Sequence, residues 1–156
     1  WESLDFSQAR PYETDALYQM HRFWIEEYQR VGLINRLTDI AVSEIIPVKI
    51  TFDAYYDAVT VRITARMRDW TEDATGKVVA GSKHVPRTFS EYWTFVRSAS
   101  KKTEDMAFDA ENCPSCGAAL DRVSEGGVCG YCETRIVAGE HSWVLSAITQ
   151  DEVYDG

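Results

Sequence analysis

Apolar residues recur at steps of three and four along the segment that follows Thr14. These residues are Leu17, Met20, Phe23, Trp24, Tyr28 and Val31. The spacing places them on one face of an α-helix. Thr14 is suited to cap the start of this helix, and Gly32 is suited to end it. The pattern therefore predicts one amphipathic helix whose broad aromatic face lies against a sheet.

After a connection through Asn35 and Arg36, the apolar pattern becomes strand-like. A long β run is predicted over residues 39–52, where Pro47 indicates a bulge or an edge strand. A turn follows at 53–56, and alternating apolar and polar residues then predict a strand with one apolar face. The strands after that turn are predicted at 59–68, 78–79, 87–98 and 140–149. One helix before several antiparallel strands indicates an α+β fold, with a curved sheet folded over the helix.

The chain contains four cysteines, in two short pairs separated by twelve residues. The pairs are Cys113-Pro114-Ser115-Cys116 and Cys129-Gly130-Tyr131-Cys132. Each Cys-x2-Cys turn brings two thiolates to one metal ion, and two such turns complete a tetrahedron of sulfur. The spacing therefore predicts a zinc site. Because protein ligands fill all four positions, the predicted role of the zinc is structural and not catalytic.

Disulfides, a redox pair and an iron site are the alternatives for these cysteines. A redox Cys-x2-Cys is one pair beside a strand–helix unit, whereas this chain has two matched pairs in a Gly- and Ser-rich segment. Disulfides are typical of small cysteine-dense secreted scaffolds, which this chain does not resemble. Four thiolates also bind iron, but nothing else in the sequence indicates electron transfer. Zinc is therefore favoured.

The length and the net charge of the chain limit the kinds of function that it can have. At 156 residues the chain fits one domain with a small inserted module. Its net charge of −9 argues against nucleic-acid binding and against unaided binding to anionic lipid. No apolar stretch approaches the roughly 20 residues of a membrane span. The chain begins at Trp1 and not at Met, so we expect a fragment or a processed form of a longer protein.

Four segments of the sequence carry a family resemblance. They are residues 20–28 (MHRFWIEEY), 52–57 (FDAYYD), 89–95 (FSEYWTF) and the cysteine block followed by 139–145 (GEHSWVL). Together they resemble the Tim44-like family, and specifically its bacterial members. The resemblance spans about residues 14–150. It implies a cone-like α+β fold similar to nuclear transport factor 2, with a large apolar pocket between helix and sheet. The resemblance also implies upstream regions, because bacterial relatives are often joined to membrane-spanning or Gly-rich segments.

Read together, these observations predict a cone-like curved antiparallel sheet packed on a long N-terminal helix, in the cystatin or nuclear transport factor 2 manner. A zinc-ribbon-like insertion is predicted between the last two strands. The predicted divisions are a linker or entry segment at 1–13, the Tim44-like domain at 14–150 with the insertion at 108–138, and a tail at 151–156.

A pocket in such a fold would be lined by aromatic residues, although the same side chains could simply fill the core, which is the favoured reading. The set is Trp24, Tyr28, Phe52, Trp93, Phe95 and Trp143. We expect a non-enzymatic binding or scaffolding module with a peptide, protein or lipid-tail partner. Regions outside this chain are expected to hold the protein at the cytoplasmic face of a membrane. The alternative is an isomerase or dehydratase whose base is Glu27 or Glu91.

Overall fold

A computed structural model describes residues 2–100, 111–136 and 142–156, and in them one α-helix precedes an antiparallel sheet. The elements are α1 (Asp15–Val31), β1 (Ile34–Phe52), β2 (Tyr56–Glu72), β3 (Val78–Gly81), β4 (Arg87–Ser98) and β5 (Val144–Gln150). Two 3-10 helices flank them, at Ser7–Tyr12 and Asp151–Val153. The predicted α+β class is confirmed.

Helix α1 has the ends that the sequence predicts. Thr14 is the N-cap residue, with extended backbone, although its hydroxyl makes no capping hydrogen bond. Gly32 ends the helix in the left-handed region at φ 69°, and its amide donates to the carbonyl oxygen of Gln29. A left-handed residue after the last turn satisfies carbonyl groups that the helix leaves unpaired. The helix predicted between Thr14 and Gly32 is therefore confirmed. The prediction that its aromatic face lies against the sheet is wrong for Phe23 and Trp24, which are 55% and 49% exposed.

The five strands form one curved antiparallel sheet in the order β1-β2-β4-β5, with β3 paired to β2. Strand β4 has the predicted bounds. The predicted turn between β1 and β2 is closed by Asp53, whose carboxylate accepts hydrogen bonds of 2.6 Å from the amides of Tyr56 and Tyr55. These bonds favour the ionised carboxylate and lower the pKa of Asp53.

Strand β1 begins five residues earlier than predicted. The predicted connection at Asn35 and Arg36 is wrong, because both residues already pair with β2. The side chain of Asn35 also donates a 2.8 Å hydrogen bond to Asp69. Three register shifts interrupt the β1–β2 pairing, and one lies between Pro47 and Lys49. The bulge and the edge position that Pro47 indicates are both present.

Directly paired residues of antiparallel strands project from the same face of the sheet, so the pairing defines two faces. The apolar face carries the odd-numbered residues of β2, among them Val61, and their partners, such as Trp93 of β4. The polar face carries the even-numbered residues of β2, among them Arg62, Arg66 and Arg68. The alternation predicted over residues 59–68 is therefore realised across neighbouring strands.

The N-terminal segment packs against the start of α1 and against β5. Arg10 and Glu13 are 1% and 5% exposed. Glu13 pairs with Leu145 in a parallel bridge, and the amide of Thr14 donates a 2.9 Å hydrogen bond to the carbonyl oxygen of Leu145. Leu145 and the neighbouring Val144 are buried. The chain entering the helix is thus fixed to the last strand of the sheet.

The cysteine segment follows β4 and precedes β5 in the chain. Of the predicted insertion at 108–138, residues 108–110 and 137–138 lie outside the described residues, as do residues 140 and 141 of the predicted last strand. The described segment, residues 111–136, is called the cysteine module below. Among the described residues, no helix has both the length and the apolar character needed to cross a membrane.

Candidate metal centre

The two cysteine pairs sit on turns of the same design. The carbonyl oxygen of Cys113 accepts a 2.8 Å hydrogen bond from the amide of Gly117, and that of Cys129 accepts a 3.0 Å bond from the amide of Glu133. The donor residue has positive φ in both turns, 72° at Gly117 and 60° at Glu133. Each turn therefore presents its two sulfurs to the same side, as Cys-x2-Cys metal ligands require.

The four sulfur atoms converge on one point. All four Sγ atoms lie within 4.8 Å of one another. Two of the separations are 3.7 Å, between Cys113 and Cys132, and 4.0 Å, between Cys116 and Cys129. A tetrahedron with zinc–sulfur bonds of about 2.3 Å has sulfur–sulfur edges of about 3.8 Å. The spacing fits four ligands of one ion, and it is far longer than the roughly 2.05 Å of a disulfide bond.

Close backbone packing supports the second turn. The amide of Gly130 donates a 2.6 Å hydrogen bond to the carbonyl oxygen of Arg122. A Cβ atom at position 130 would lie 2.7 Å from that oxygen, so only glycine fits. Beneath the sulfurs, Cys113 and Cys129 are buried with Ile136 in a small apolar cluster. The cysteine module thus has a folded centre, and the sulfurs form part of it.

Neighbouring groups shift the pKa values of two of the cysteine thiols in opposite directions. The side-chain oxygen of Thr134 lies 3.4 Å from Sγ of Cys132, and the hydroxyl and amide of Thr134 lower the pKa of that thiol to about 6. The amide of Ala118 lowers the pKa of Cys116, but hydrogen bonds shared with the other thiols outweigh it and raise the pKa to about 12. Metal ions bind cysteine as the thiolate, so a cation bound here would displace the protons of these thiols.

Buried Arg10 joins the cysteine module to the N-terminal segment and to α1. Its Nε donates a 2.7 Å hydrogen bond to the carbonyl oxygen of Glu125, in the turn that leads to the second cysteine pair. Its Nη1 donates a 3.0 Å bond to the carbonyl oxygen of Glu13, and its Nη2 pairs with the carboxylate of Asp15. One side chain thereby connects the entry into the helix to a turn 115 residues later in the chain.

Two further ion pairs hold the cysteine module against the helix. Arg135 of the module pairs with Asp15, and Arg22 of the helix pairs with the carboxylate of Glu125. Asp15 thus receives an arginine from each side of the contact. These contacts join the cysteine module to the N-terminal half of the helix.

The six aromatic residues predicted as pocket lining have different exposures. Trp24 and Phe52 are 49% and 73% exposed, and the other four are partly buried. Trp93 and Phe95 share the apolar face, with ring centroids 6.5 Å apart. The guanidinium of Arg97 lies 4.7 Å from the centre of the Trp143 ring. That these six residues enclose one pocket stays a prediction.

A cleft of about 570 Å³ lies elsewhere, between the start of α1 and the sheet. Thr14 and Asp15 line one side, Tyr56 and Val144 line another, and Arg135 of the cysteine module closes it. The hydroxyl of Thr14 is buried there without a hydrogen-bond partner in the described part of the chain. Sequence reasoning missed this cleft, because its walls come from segments more than 100 residues apart.

The two carboxylates proposed as bases in the enzyme alternative are already engaged. Glu27 pairs with Arg30 at 2.7 Å on the exposed side of the helix. Hydrogen bonding to Arg30 lowers the pKa of Glu27, whereas a general base near neutral pH needs a raised pKa. Glu91 accepts a 3.0 Å hydrogen bond from the indole nitrogen of Trp93. The pKa of Glu27 is thus shifted in the direction opposite to the one that the enzyme alternative needs.

Comparison with known proteins assigns the helix and the first four strands to a family. The model of the Tim44-like domain matches residues 1–107, which include α1 and the strands β1 to β4. The match ends before Cys113, so the cysteine module follows it in the chain. No curated protein matches the chain. With more than half of its length matched, the chain belongs to the Tim44-like domain family.

Proposed function

We propose that this chain is a non-enzymatic binding module of a membrane-associated bacterial Tim44-like protein. Its binding surface is the outer part of β1, and its partner is a protein or a peptide. A zinc ion in the cysteine module fixes the position of the helix start against the sheet. Family membership supports a binding role, and the exposure of apolar side chains on β1 supports this choice of surface.

The observation that carries the proposal is a row of exposed apolar side chains on an edge strand. The row, called the β1 strip, consists of Ile40, Val42, Ile45, Val48, Ile50 and Phe52. Each of these side chains is between 43% and 73% exposed. Large apolar patches on a soluble chain mark interaction sites, because leaving them in water costs free energy that a partner would recover.

The position of the β1 strip favours an extended partner. In the described part of the chain β1 pairs with β2 alone, so its outer edge is open to another segment. Pro47 lacks an amide hydrogen, and the nearby register shifts disturb the edge. These features oppose continuous strand addition along all of β1. We therefore propose that side-chain contacts with the β1 strip supply most of the binding free energy.

Zinc is the proposed metal because four thiolates at tetrahedral spacing match its usual structural site. Its proposed role follows from the contacts of the cysteine module. The turn at Glu125 accepts from buried Arg10, and Arg135 holds Asp15 at the first residue of α1. A metal that orders these turns would stabilise the entry into the helix, without touching the β1 strip.

Attachment to the cytoplasmic face of a membrane, through regions outside this chain, is part of the proposal. It rests on the resemblance to bacterial family members. Cone-like packing of the nuclear transport factor 2 type, with the cysteine module as an insertion in it, belongs to the same proposal. A lipid-tail partner is the second form of occupant that the apolar character allows.

Site-specific photo-crosslinking in the producing cells tests the binding surface. A photoreactive amino acid is placed at Ile45 in the β1 strip, and a matched control carries it at Thr75, in the β2–β3 turn. We expect discrete protein adducts from position 45 that disappear when Ile50 and Phe52 are both changed to serine. Absence of adducts at position 45, or the same adducts at position 75, would contradict the proposal.

A further inference from the structure

The residues of the β1 strip that pair with β2 share one face of the sheet. Their β2 partners all have odd numbers, and these residues define the apolar face. The four pairs are Val42 with Ala65, Ile45 with Ile63, Ile50 with Val59, and Phe52 with Asp57. Farther into the same face, Val61 of β2 and Trp93 of β4 are only partly buried. The exposed apolar surface therefore begins at the edge strand and continues across the sheet.

Strand β1 adds no charge to the apolar face between residues 42 and 52. The two charged residues of this stretch, Glu44 and Lys49, have opposite signs, and both pair with even-numbered residues of β2 on the polar face. At the end of the apolar face, Asp57 is neutralised by Arg97 at 2.9 Å. Although the chain has a net charge of −9, two copies can therefore bring their apolar faces together at β1 without placing like charges opposite each other.

The exposed area has the size of a dimer interface. The six side chains of the β1 strip expose on the order of 100 Å² each, or roughly 600 Å² together, against the roughly 800 Å² that one partner contributes to a standard interface. The whole chain exposes 9743 Å², whereas a folded monomer of 17.7 kDa exposes about 7,950 Å². The excess of roughly 1,800 Å² is comparable with the roughly 1,000 to 2,500 Å² that one subunit buries in an obligate homodimer.

The chemistry of this surface favours a second copy of the chain over a different protein. Different proteins commonly select each other through complementary charges, and the apolar face at β1 offers no charge for that purpose. Homodimer interfaces are more apolar than those between different proteins, and their centres are depleted of charged residues. In a two-fold symmetric dimer the same patch of both copies meets, so an uncharged apolar face is complementary to itself.

We propose that the β1 strip and the adjoining apolar face bind the same surface of a second copy of this chain, in a two-fold symmetric homodimer. The inference rests on the proposed binding function and names the partner. Because the register shifts near Pro47 oppose continuous pairing along the edge, the two sheets pack through their side chains and do not form one continuous sheet. Ile45, which is 59% exposed and lies near the middle of the β1 strip, is buried by the second copy.

Sedimentation equilibrium of the whole chain, with zinc present, tests this inference. We expect a species of twice the 17.7 kDa chain mass at micromolar concentration. Ile45→Glu should raise the dissociation constant about a hundredfold or more, because symmetry buries the new carboxylate twice. The matched control is Val79→Glu, at a valine that is 51% exposed on β3, which pairs with the far end of β2, and it should leave the dimer intact. Both variants should keep the far-ultraviolet circular dichroism of the wild type, since both side chains are exposed in the single chain.

Two sedimentation results would overturn the inference: a chain that stays monomeric throughout the micromolar range, or a dimer that Ile45→Glu weakens no more than Val79→Glu does. The photo-crosslink at Ile45 separates this inference from the proposed binding surface. An adduct that joins position 45 to residues 42–52 of a second copy supports the homodimer. Adducts with a different protein or with a lipid would refute the second copy and leave the surface. Absence of adducts would refute the surface itself.

Discussion

Nε of Arg10 donates a 2.7 Å hydrogen bond to the carbonyl oxygen of Glu125, 115 residues later in the chain. The arginine is buried, and it precedes the helix, whereas Glu125 lies beside the second cysteine pair. This contact links the segment matched by the family model to the cysteine module that follows it. It explains how a metal site remote in sequence can affect the domain.

Replacing Arg10 by methionine should lower the free energy of unfolding by about 2 to 4 kcal/mol. The variant leaves the carbonyl groups of Glu125 and Glu13 without their donor, and buried unpaired polar groups are costly. Urea denaturation followed by tryptophan fluorescence measures the change. Arg30→Met is the control, because Arg30 is exposed and pairs only with Glu27 among the described residues, and it should cost less than about 1 kcal/mol. A similar loss in both variants would show that Arg10 has no special role.

Two glycines of the cysteine module provide a matched pair for testing the second turn. Gly130→Ala should weaken zinc binding at least tenfold, because its Cβ would meet the carbonyl oxygen of Arg122 at 2.7 Å. That factor corresponds to about 1.4 kcal/mol. Gly126→Ala should change little, since its nearest neighbour is Ser124 Oγ at 3.8 Å. Competition with a chromophoric chelator measures both affinities. Equal zinc affinities of the two variants would mean that the turn around Gly130 can shift to accommodate the added methyl group.

Glu133 holds a backbone conformation that suits glycine, at φ 60°. The corresponding position of the first turn is already Gly117. Glu133→Gly should therefore relieve left-handed strain and stabilise the zinc-loaded protein by about 0.5 to 1 kcal/mol, after the entropic cost of glycine. Gly117→Ala should destabilise it by a similar amount. Thermal unfolding of both variants measures these changes. Destabilisation by Glu133→Gly would contradict the idea that positions 117 and 133 play the same role in the two turns.

The carboxylate of Glu72 makes the free energy of unfolding depend on pH in the acidic range. Hydrogen bonds from Lys83, then from Trp70, lower its pKa from 4.5 to about 2, with a further contribution from Arg36. Because the folded pKa is the lower one, this contribution is present above about pH 4.5 and is lost as the pH falls toward 2. Glu72→Gln should flatten the decline of the free energy of unfolding between pH 5 and pH 2.

The control for this pH experiment is Glu44→Gln. Glu44 is exposed on β1 and makes no ion pair with another described residue. Glu44→Gln should leave the decline of the free energy of unfolding between pH 5 and pH 2 unchanged. If the decline is equally steep in wild type and in Glu72→Gln, the cluster around Glu72 is not what couples folding to pH.

Local features of this fold follow from the sequence, and long-range ones do not. The apolar spacing after Thr14 and the special conformation of Gly32 define α1 at both ends. The alternation over residues 59–68 indicates β2, and the spacing of the cysteines indicates their convergence. All of these depend on periods or turns within a few residues, where backbone geometry leaves few options.

Other features depend on which distant segments meet. The early start of β1 at Ile34 requires the far end of β2 as a partner, and no local pattern encodes that pairing. The burial of Arg10 depends on a carbonyl group 115 residues away. The exposure of the β1 strip likewise does not follow from the sequence, because the same apolar sequence suits a covered strand and an open one. Tertiary context decides each case.

Metal content tests the central claim, that four cysteines hold one structural zinc ion. Purified protein is analysed for metals by elemental mass spectrometry, in parallel with Cys116→Ser. We predict one zinc per wild-type chain. We also predict that Cys116→Ser loses the zinc and unfolds the cysteine module but retains the β-sheet. Metal-free protein with disulfide-linked cysteines, or iron in place of zinc, would contradict the account.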